Sequence, residues 1–242
     1  MKFRFIKLST LPALAAALVI SACTKNSDGV LTDSRDFSNS AIAQVYVATV
    51  NASRNYVYVD GNQVNGSSLI SGSVFPASGP GFKVSPGVKA FLVRDTISTA
   101  TQVPLSFAEN FQFGKTYTVF LYDTINAPKQ KTVQTDIVIP SDTTARIRFA
   151  NFIYNPNAIP AVDVFSYSRN ANIFTNVNVT DVTGFIPYAS GLPLDTLYIR
   201  PTGTTTNLVK LSMKGLMKQR SYTVVYRGSD RGTRLASLFI NR

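Results

Sequence analysis

The chain repeats itself at a spacing close to the length of one small β-sandwich, and that repeat limits its folds more than any other feature. Gln44-Val45-Tyr46-Val47-Ala48 is answered by Arg146-Ile147-Arg148-Phe149-Ala150, 102 positions later. Gly114-Lys115-Thr116-Tyr117-Thr118-Val119 is answered by Gln219-Arg220-Ser221-Tyr222-Thr223-Val224, 105 positions later. Between these anchors lie short runs of alternating character broken by Gly, Pro and Asn, such as 43–50, 55–60, 88–94, 116–122, 145–152, 195–200, 221–227 and 234–240. Alternation with period two places successive side chains on opposite faces of a strand. Past the N-terminal segment no window carries a helical stripe. Glu, a strong helix former, occurs once, as Glu109, whereas Thr, Val and Tyr are plentiful. The chain therefore reads as all-β, with one sandwich unit over 41–141 and a second over 142–242. The join falls at Pro140-Ser141-Asp142-Thr143, where Pro140 cannot donate to a ladder. One large sandwich of about sixteen strands is the alternative.

The N-terminus carries an address. Lys2, Arg4 and Lys7 precede the apolar run Leu8–Ile20, which is shorter than the roughly 20 residues of a permanent bilayer span. Ile20-Ser21-Ala22-Cys23 follows and resembles a bacterial lipobox, in which the cysteine receives a diacylglycerol thioether and becomes the new, acylated N-terminus. Residues 1–22 are then a lipoprotein signal peptide, and 23–40 are the lipidated Cys23 with a polar tether. A plain signal peptide with an incidental cysteine is the alternative. Several acyl chains hold a protein stably to a membrane. Thr24 leaves out the acidic residue that retains some lipoproteins in the inner membrane, and Lys25 with Asp28 faintly resembles a surface-export signal. The expected location is the bacterial cell envelope, anchored by lipid, in the outer membrane, with the face left open.

The second copy carries a fuller pattern. It runs Ala145-Arg146-Ile147-Arg148-Phe149-Ala150-Asn151-Phe152, then Asn155-Pro156, then Pro160-Ala161-Val162-Asp163-Val164. It continues through Gly191 and Asp195-Thr196-Leu197-Tyr198-Ile199-Arg200 to Tyr222-Thr223-Val224. This resembles domain of unknown function 4397, an extracytoplasmic family common in lipoproteins of Bacteroidota. The resemblance covers nearly all of residues 43–242 and implies immunoglobulin-like β-sandwiches, often in tandem, with no established activity. In the first copy Tyr56 stands where the second has Asp163, and the Pro-Ala-Val run is missing.

Several chemistries are excluded by composition. There is no His and no Trp, and the sole Cys is the expected lipidation site, so Ser-His-Asp and Cys-His nucleophiles cannot be built. Zinc loses both of its preferred ligands. No calcium or phosphate-binding loop motif is present. No catalytic, metal-binding or cofactor-binding residue is therefore assigned, and the expected protein is not an enzyme. Asp163 could face a ligand, but a strand-edge Asp more often pairs with a neighbour such as Arg146 or Arg148, or accepts N–H groups from the preceding loop. Asp60-Gly61-Asn62 has the chemistry of a tight hairpin turn. Tyr46, Tyr56, Tyr58, Tyr117, Tyr122, Tyr188, Tyr198, Tyr222 and Tyr226 could form a sugar-stacking face, although at period two they read more simply as sheet packing.

Charge is distributed unevenly. From Cys23 onward the chain carries net +8, and Arg200–Arg242 alone carries net +8. Lys210, Lys214, Lys218, Arg220, Arg227, Arg231 and Arg234 are the candidate patch for an anionic partner. An anionic glycan, lipopolysaccharide or another envelope protein would suit it, and nucleic acid is not expected. A solvated sheet edge whose charges discourage aggregation is the simpler alternative. Thr96, Thr124, Thr143 and Thr196 each follow an Asp and precede an apolar residue or Thr, a pattern resembling an O-glycosylation motif of Bacteroidota envelope proteins. Capping of turns by Asp explains the same dipeptide. The expected function is a non-enzymatic cell-envelope lipoprotein acting as a structural or binding module. The alternative is an accessory glycan-binding lipoprotein of a nutrient-uptake system.

Overall fold

The computed structural model describes residues 39–242 apart from Ser98, Val138, Pro140, Leu192 and Pro193. The signal segment, Cys23, most of the tether and Pro140 therefore lie outside the described residues. Every named element is a strand. The first half contains β1 (Ala41–Val47), β2 (Tyr56–Val59), β3 (Asn62–Gln63), β4 (Val74–Phe75), β5 (Phe82–Val84), β6 (Gly87–Arg94), β7 (Leu105–Phe111), β8 (Thr116–Tyr122) and β9 (Lys129–Gln134). The second contains β10 (Ala145–Tyr154), β11 (Val162–Ser166), β12 (Ala171–Val177), β13 (Ile186–Tyr188), β14 (Asp195–Pro201), β15 (Val209–Met213), β16 (Ser221–Ser229) and β17 (Arg234–Ile240).

These strands form four sheets. In the first half β4-β1-β8-β9, with β5 also on β1, faces β3-β2-β6-β7. In the second half β13-β10-β16-β17 faces β12-β11-β14-β15. Each half has its own hydrophobic cluster. Val45, Val119, Phe91 and Phe111 meet in the first, and Phe149, Val224, Leu197 and Ile199 meet in the second. In both halves the opening strand pairs in parallel with the penultimate one, β1 with β8 and β10 with β16.

A third cluster joins the halves, and it explains why β1 is buried along its whole length. Ala41, Ala43, Val45 and Val47 point into the first core, while Tyr46 on the opposite face meets Phe120, Phe152, Val225 and Phe239. Phe120 stacks on Phe152 at 4.6 Å between ring centres, and Tyr46 stacks on Phe239 at 5.0 Å. Period-two alternation is present in these strands, but both faces are covered, so the pattern becomes a continuous buried run. Polar links cross the same seam. The Asn241 amide donates to Gln44 Oε1 at 3.0 Å, and the Gln44 amide donates to the Ile240 carbonyl at 3.0 Å. The two inner sheets are thus packed back to back.

Backbone pairing corrects the register of the repeat. Gln44 lies opposite Thr118 and Arg148 opposite Thr223, so Gln44 and Arg148 are equivalent, 104 positions apart. The sequence match at 102 is out of step by two residues. An even slip keeps every side chain on its proper face, so hydrophobic patterning alone could not reveal it. The match of Tyr56 with Asp163 agrees with pairing: Tyr56 lies opposite Arg94, and Asp163 opposite Arg200. Asp60 and Gly61, with φ of 48° and 81°, form the hairpin turn between β2 and β3.

Candidate functional site

Two surfaces bring chemically useful groups together. The first is a cleft of about 550 Å³ at the seam, lined by residues that include Val133, Asp136, Arg146, Arg148, Phe185 and Ser221. Arg148 sits on the seam-facing side of β10 and is 2% exposed. Its Nε donates to Thr223 Oγ1 at 2.9 Å, and one Nη donates to Thr118 Oγ1 at 2.9 Å and Thr135 Oγ1 at 3.2 Å. The Phe185 ring lies 4.9 Å from its Cζ. Among the described residues no carboxylate comes within ion-pair distance of Arg148. Burial pulls its pKa down to about 9, opposed by the charge of Asp136.

The second surface is the outer face of the β12-β11-β14-β15 sheet. Leu197 and Ile199 turn into the core, so Thr196, Tyr198 and Arg200 point outward. Phe165 lies opposite Tyr198 on one side and Lys210 opposite it on the other. The Arg200 guanidinium covers Phe165 at 3.9 Å and Tyr198 at 5.6 Å from the ring centres. Tyr167, 70% exposed, meets Tyr198 edge to face at 6.4 Å. The first half has a counterpart at equivalent positions, with Arg94 over Tyr58 at 5.1 Å beside a concavity of about 570 Å³.

The residues singled out in the sequence fare unequally. Asp163 is buried, but it pairs with neither Arg146 nor Arg148, and its donors do not come from the preceding loop. It accepts N–H groups from Asn176 and Gly203, the Thr202 hydroxyl and the Asn172 amide. Burial pushes its pKa up, but these donors prevail and hold it below the usual carboxylate value. Arg146 instead pairs with Asp142 at 3.1 Å, and the Thr144 hydroxyl, Arg146 and the Thr144 N–H together pull the pKa of that exposed carboxyl down to about 2. Of the nine tyrosines, Tyr46, Tyr117, Tyr188, Tyr222 and Tyr226 are buried, and Tyr56, Tyr58, Tyr122 and Tyr198 are half-buried. Tyr167 was not among them, because it stands in a turn beyond the end of β11 and no strand alternation points to it.

The seven basic residues do not form one surface. Arg220 precedes the nine-residue β16 and Arg231 follows it, placing them about 30 Å apart at 3.3 Å per residue. Lys214, Lys218 and Arg220 are exposed in the connection before β16, while Lys210 belongs to the aromatic face. Arg227 is held at the seam, with Nη1 at 3.3 Å from Ser71 Oγ, and Arg234 pairs with Asp230 at 2.9 Å.

The four Asp-Thr sites also divide. Thr96 and Thr143 are exposed, whereas Thr124 and Thr196 are half-buried. Thr196 lies within β14, and its Asp195 is a buried hub that accepts the Ser166 and Tyr188 hydroxyls and the N–H groups of Ser168 and Thr196. Asp95, Asp123 and Asp142 each accept a backbone N–H one or two residues ahead, which is the turn-capping chemistry of the dipeptide.

Sequence reasoning met Arg148 only as a partner for Asp163. The one signal of its role is that Ala145–Phe152 sets two arginines, Arg146 and Arg148, among apolar residues with a single carboxylate, Asp142, close by in the sequence. No protein-family model and no curated protein matches the chain.

Proposed function

We propose that the chain is a non-enzymatic, lipid-anchored module of the bacterial cell envelope, built of two immunoglobulin-like sandwiches, that binds through the outer face of its second half. The immunoglobulin-like assignment is supported by a tyrosine at the start of the penultimate strand of each half. Tyr117 Oη accepts the Gln112 N–H at 3.0 Å, and Tyr222 Oη accepts the Met217 N–H at 2.9 Å, five residues upstream in each case. This resembles the tyrosine corner of that fold, in which a Tyr hydroxyl bonds to the backbone a few residues upstream. The back-to-back inner sheets suit a rigid spacer, since they leave the two outer faces free. Lipobox-like Cys23 supplies the anchor, and the polar tether would hold the module away from the bilayer.

The observation that carries the binding assignment is the array of Phe165, Tyr198, Arg200 and Lys210 on one solvent-facing sheet, with Tyr167 beside it in the turn after β11. The exposed ring of Tyr167 can accept the C–H face of a sugar, and Arg200 and Lys210 beside it favour acidic residues. The same array favours the second reading, an accessory glycan-binding lipoprotein. Detergent-solubilised full-length protein should bind a subset of acidic polysaccharides on an array, saturably. Tyr167→Ala with Arg200→Ala should remove that binding and leave the thermal transition in place. Undiminished binding by the double variant would place the ligand elsewhere.

A further inference from the structure

We propose that the cleft between the two halves is an oxyanion site, in which Arg148 receives the carboxylate, sulfate or phosphate group of a ligand.

The hydrogen-bond directions at Arg148 carry the assignment. Thr223 Oγ1 donates its proton to Asn241 Oδ1 at 2.6 Å. Thr118 and Thr135 share a 2.9 Å hydroxyl contact, and Thr135 also lies 3.4 Å from the Val133 carbonyl. A guanidinium has donors only, so all three hydroxyls face it with lone pairs. Their protons are directed along this chain, away from the arginine. Arg148 is thereby fixed in one orientation by neutral dipoles, and its charge is left to a site that no carboxylate of the described residues closes. Isolated charges are costly to bury, and a guanidinium fork matches an oxyanion well.

The internal repeat supplies a control. The equivalent position in the first half is Gln44, a neutral amide that satisfies the same seam through Gly79, Ile240 and Asn241. Holding the inner sheets together does not require a cation at this position. The copy that carries one also lines the cleft of about 550 Å³, with Val133, Val182 and Phe185 as apolar walls. Arg146 lines it too but is occupied by Asp142. Asp136 is the competing charge: it lines the cleft, is exposed, accepts the Gln134 amide at 2.8 Å and is felt by Arg148 without pairing with it. It would repel an incoming anion.

The test uses full-length protein in detergent at constant, low ionic strength. Sulfate, phosphate and glucuronate are titrated separately against chloride, with binding read by calorimetry and thermal shift. At least one should bind saturably and raise the Tm. Sulfate or phosphate alone would assign an inorganic or ester group, and glucuronate would assign an acidic sugar. Arg148→Met should abolish the effect. Asp136→Asn removes a nearby like charge and should tighten binding by about tenfold. That variant leaves the threonine network intact, so it decides the matter even if Arg148→Met does not fold. Absence of saturable binding by all three anions, or an affinity unchanged or weakened in Asp136→Asn, would overturn the proposal.

Discussion

At the scale of single residues, the carboxylates chosen by the fold are the ones that gather donors. Asp195, 6% exposed, serves two hydroxyls and two backbone N–H groups, so it fastens the start of β14 to the end of β11 and to Tyr188 of β13. Burial acts to raise its pKa, but the Ser166 and Tyr188 hydroxyls and the two N–H groups outweigh it and hold it below the usual value. A depressed folded pKa means that the contribution is complete above the ordinary carboxylate value of about 4 and fades as pH falls through the folded one. Asp195→Ala should destabilise the protein by about 3 kcal/mol or more at pH 7 in chemical denaturation, since buried hydroxyls lose their acceptor. Asp195→Asn should flatten the loss of stability below pH about 4 in part, with Asp163 and the exposed Asp60 and Asp142 supplying the remaining acid sensitivity. An unchanged acid limb would remove Asp195 from this role. Cys23 belongs to the same scale. Cys23→Ala should move the protein from the membrane to the soluble fraction, and continued detergent partitioning would sink the lipid anchor.

At the scale of elements, hairpins are set by positions where a side chain is strained or has no room. Gly228 closes the β16–β17 ladder at φ +96°, and a Cβ there would come within 2.2 Å of the Thr233 carbonyl oxygen. Gly61 also has a positive φ, of 81°, but its Cβ would meet open space. Gly61→Ala should therefore cost only the left-handed penalty, about 1 kcal/mol. Gly228→Ala should cost at least about 2 kcal/mol, because the hairpin must also shift. Urea melts of the two variants check the order, and equal losses would contradict it. Strands such as Thr116–Tyr122 and Arg234–Ile240 were legible to the residue, since turn signals bound them on both sides. β1 begins two residues before the run 43–50 and ends at Val47, although Ala48 and Val50 still donate to the Leu121 and Asp123 carbonyls and Val50 bridges Thr124, so the pairing outlasts the regular strand. β3, β4, β5 and β13 are two or three residues each, and such runs carry no readable period.

At the scale of the molecule, the seam makes the halves depend on one another. Phe120 is fully buried among Tyr46, Phe152 and Phe239, residues drawn from both halves. The wild-type chain should unfold in one calorimetric transition, with equal calorimetric and van't Hoff enthalpies. Phe120→Ala should cost about 3–5 kcal/mol and resolve two transitions, since each half retains its own core. Two resolved transitions in the wild type would show that the seam is weak.

The sequence by itself determined the all-β class, the repeated unit, the β2–β3 hairpin and the poverty of catalytic groups. Each depends on local chemistry: strand propensity, period-two alternation, positive φ at Gly, and residue types that are present or missing. Tertiary structure alone decided the rest. It set the 104-residue register, because a two-residue slip leaves every face unchanged. It separated the basic residues, because a strand carries neighbours in sequence to opposite ends. It placed Arg148 against Thr118 and Thr135, because a strand's second face is assigned only when another sheet covers it.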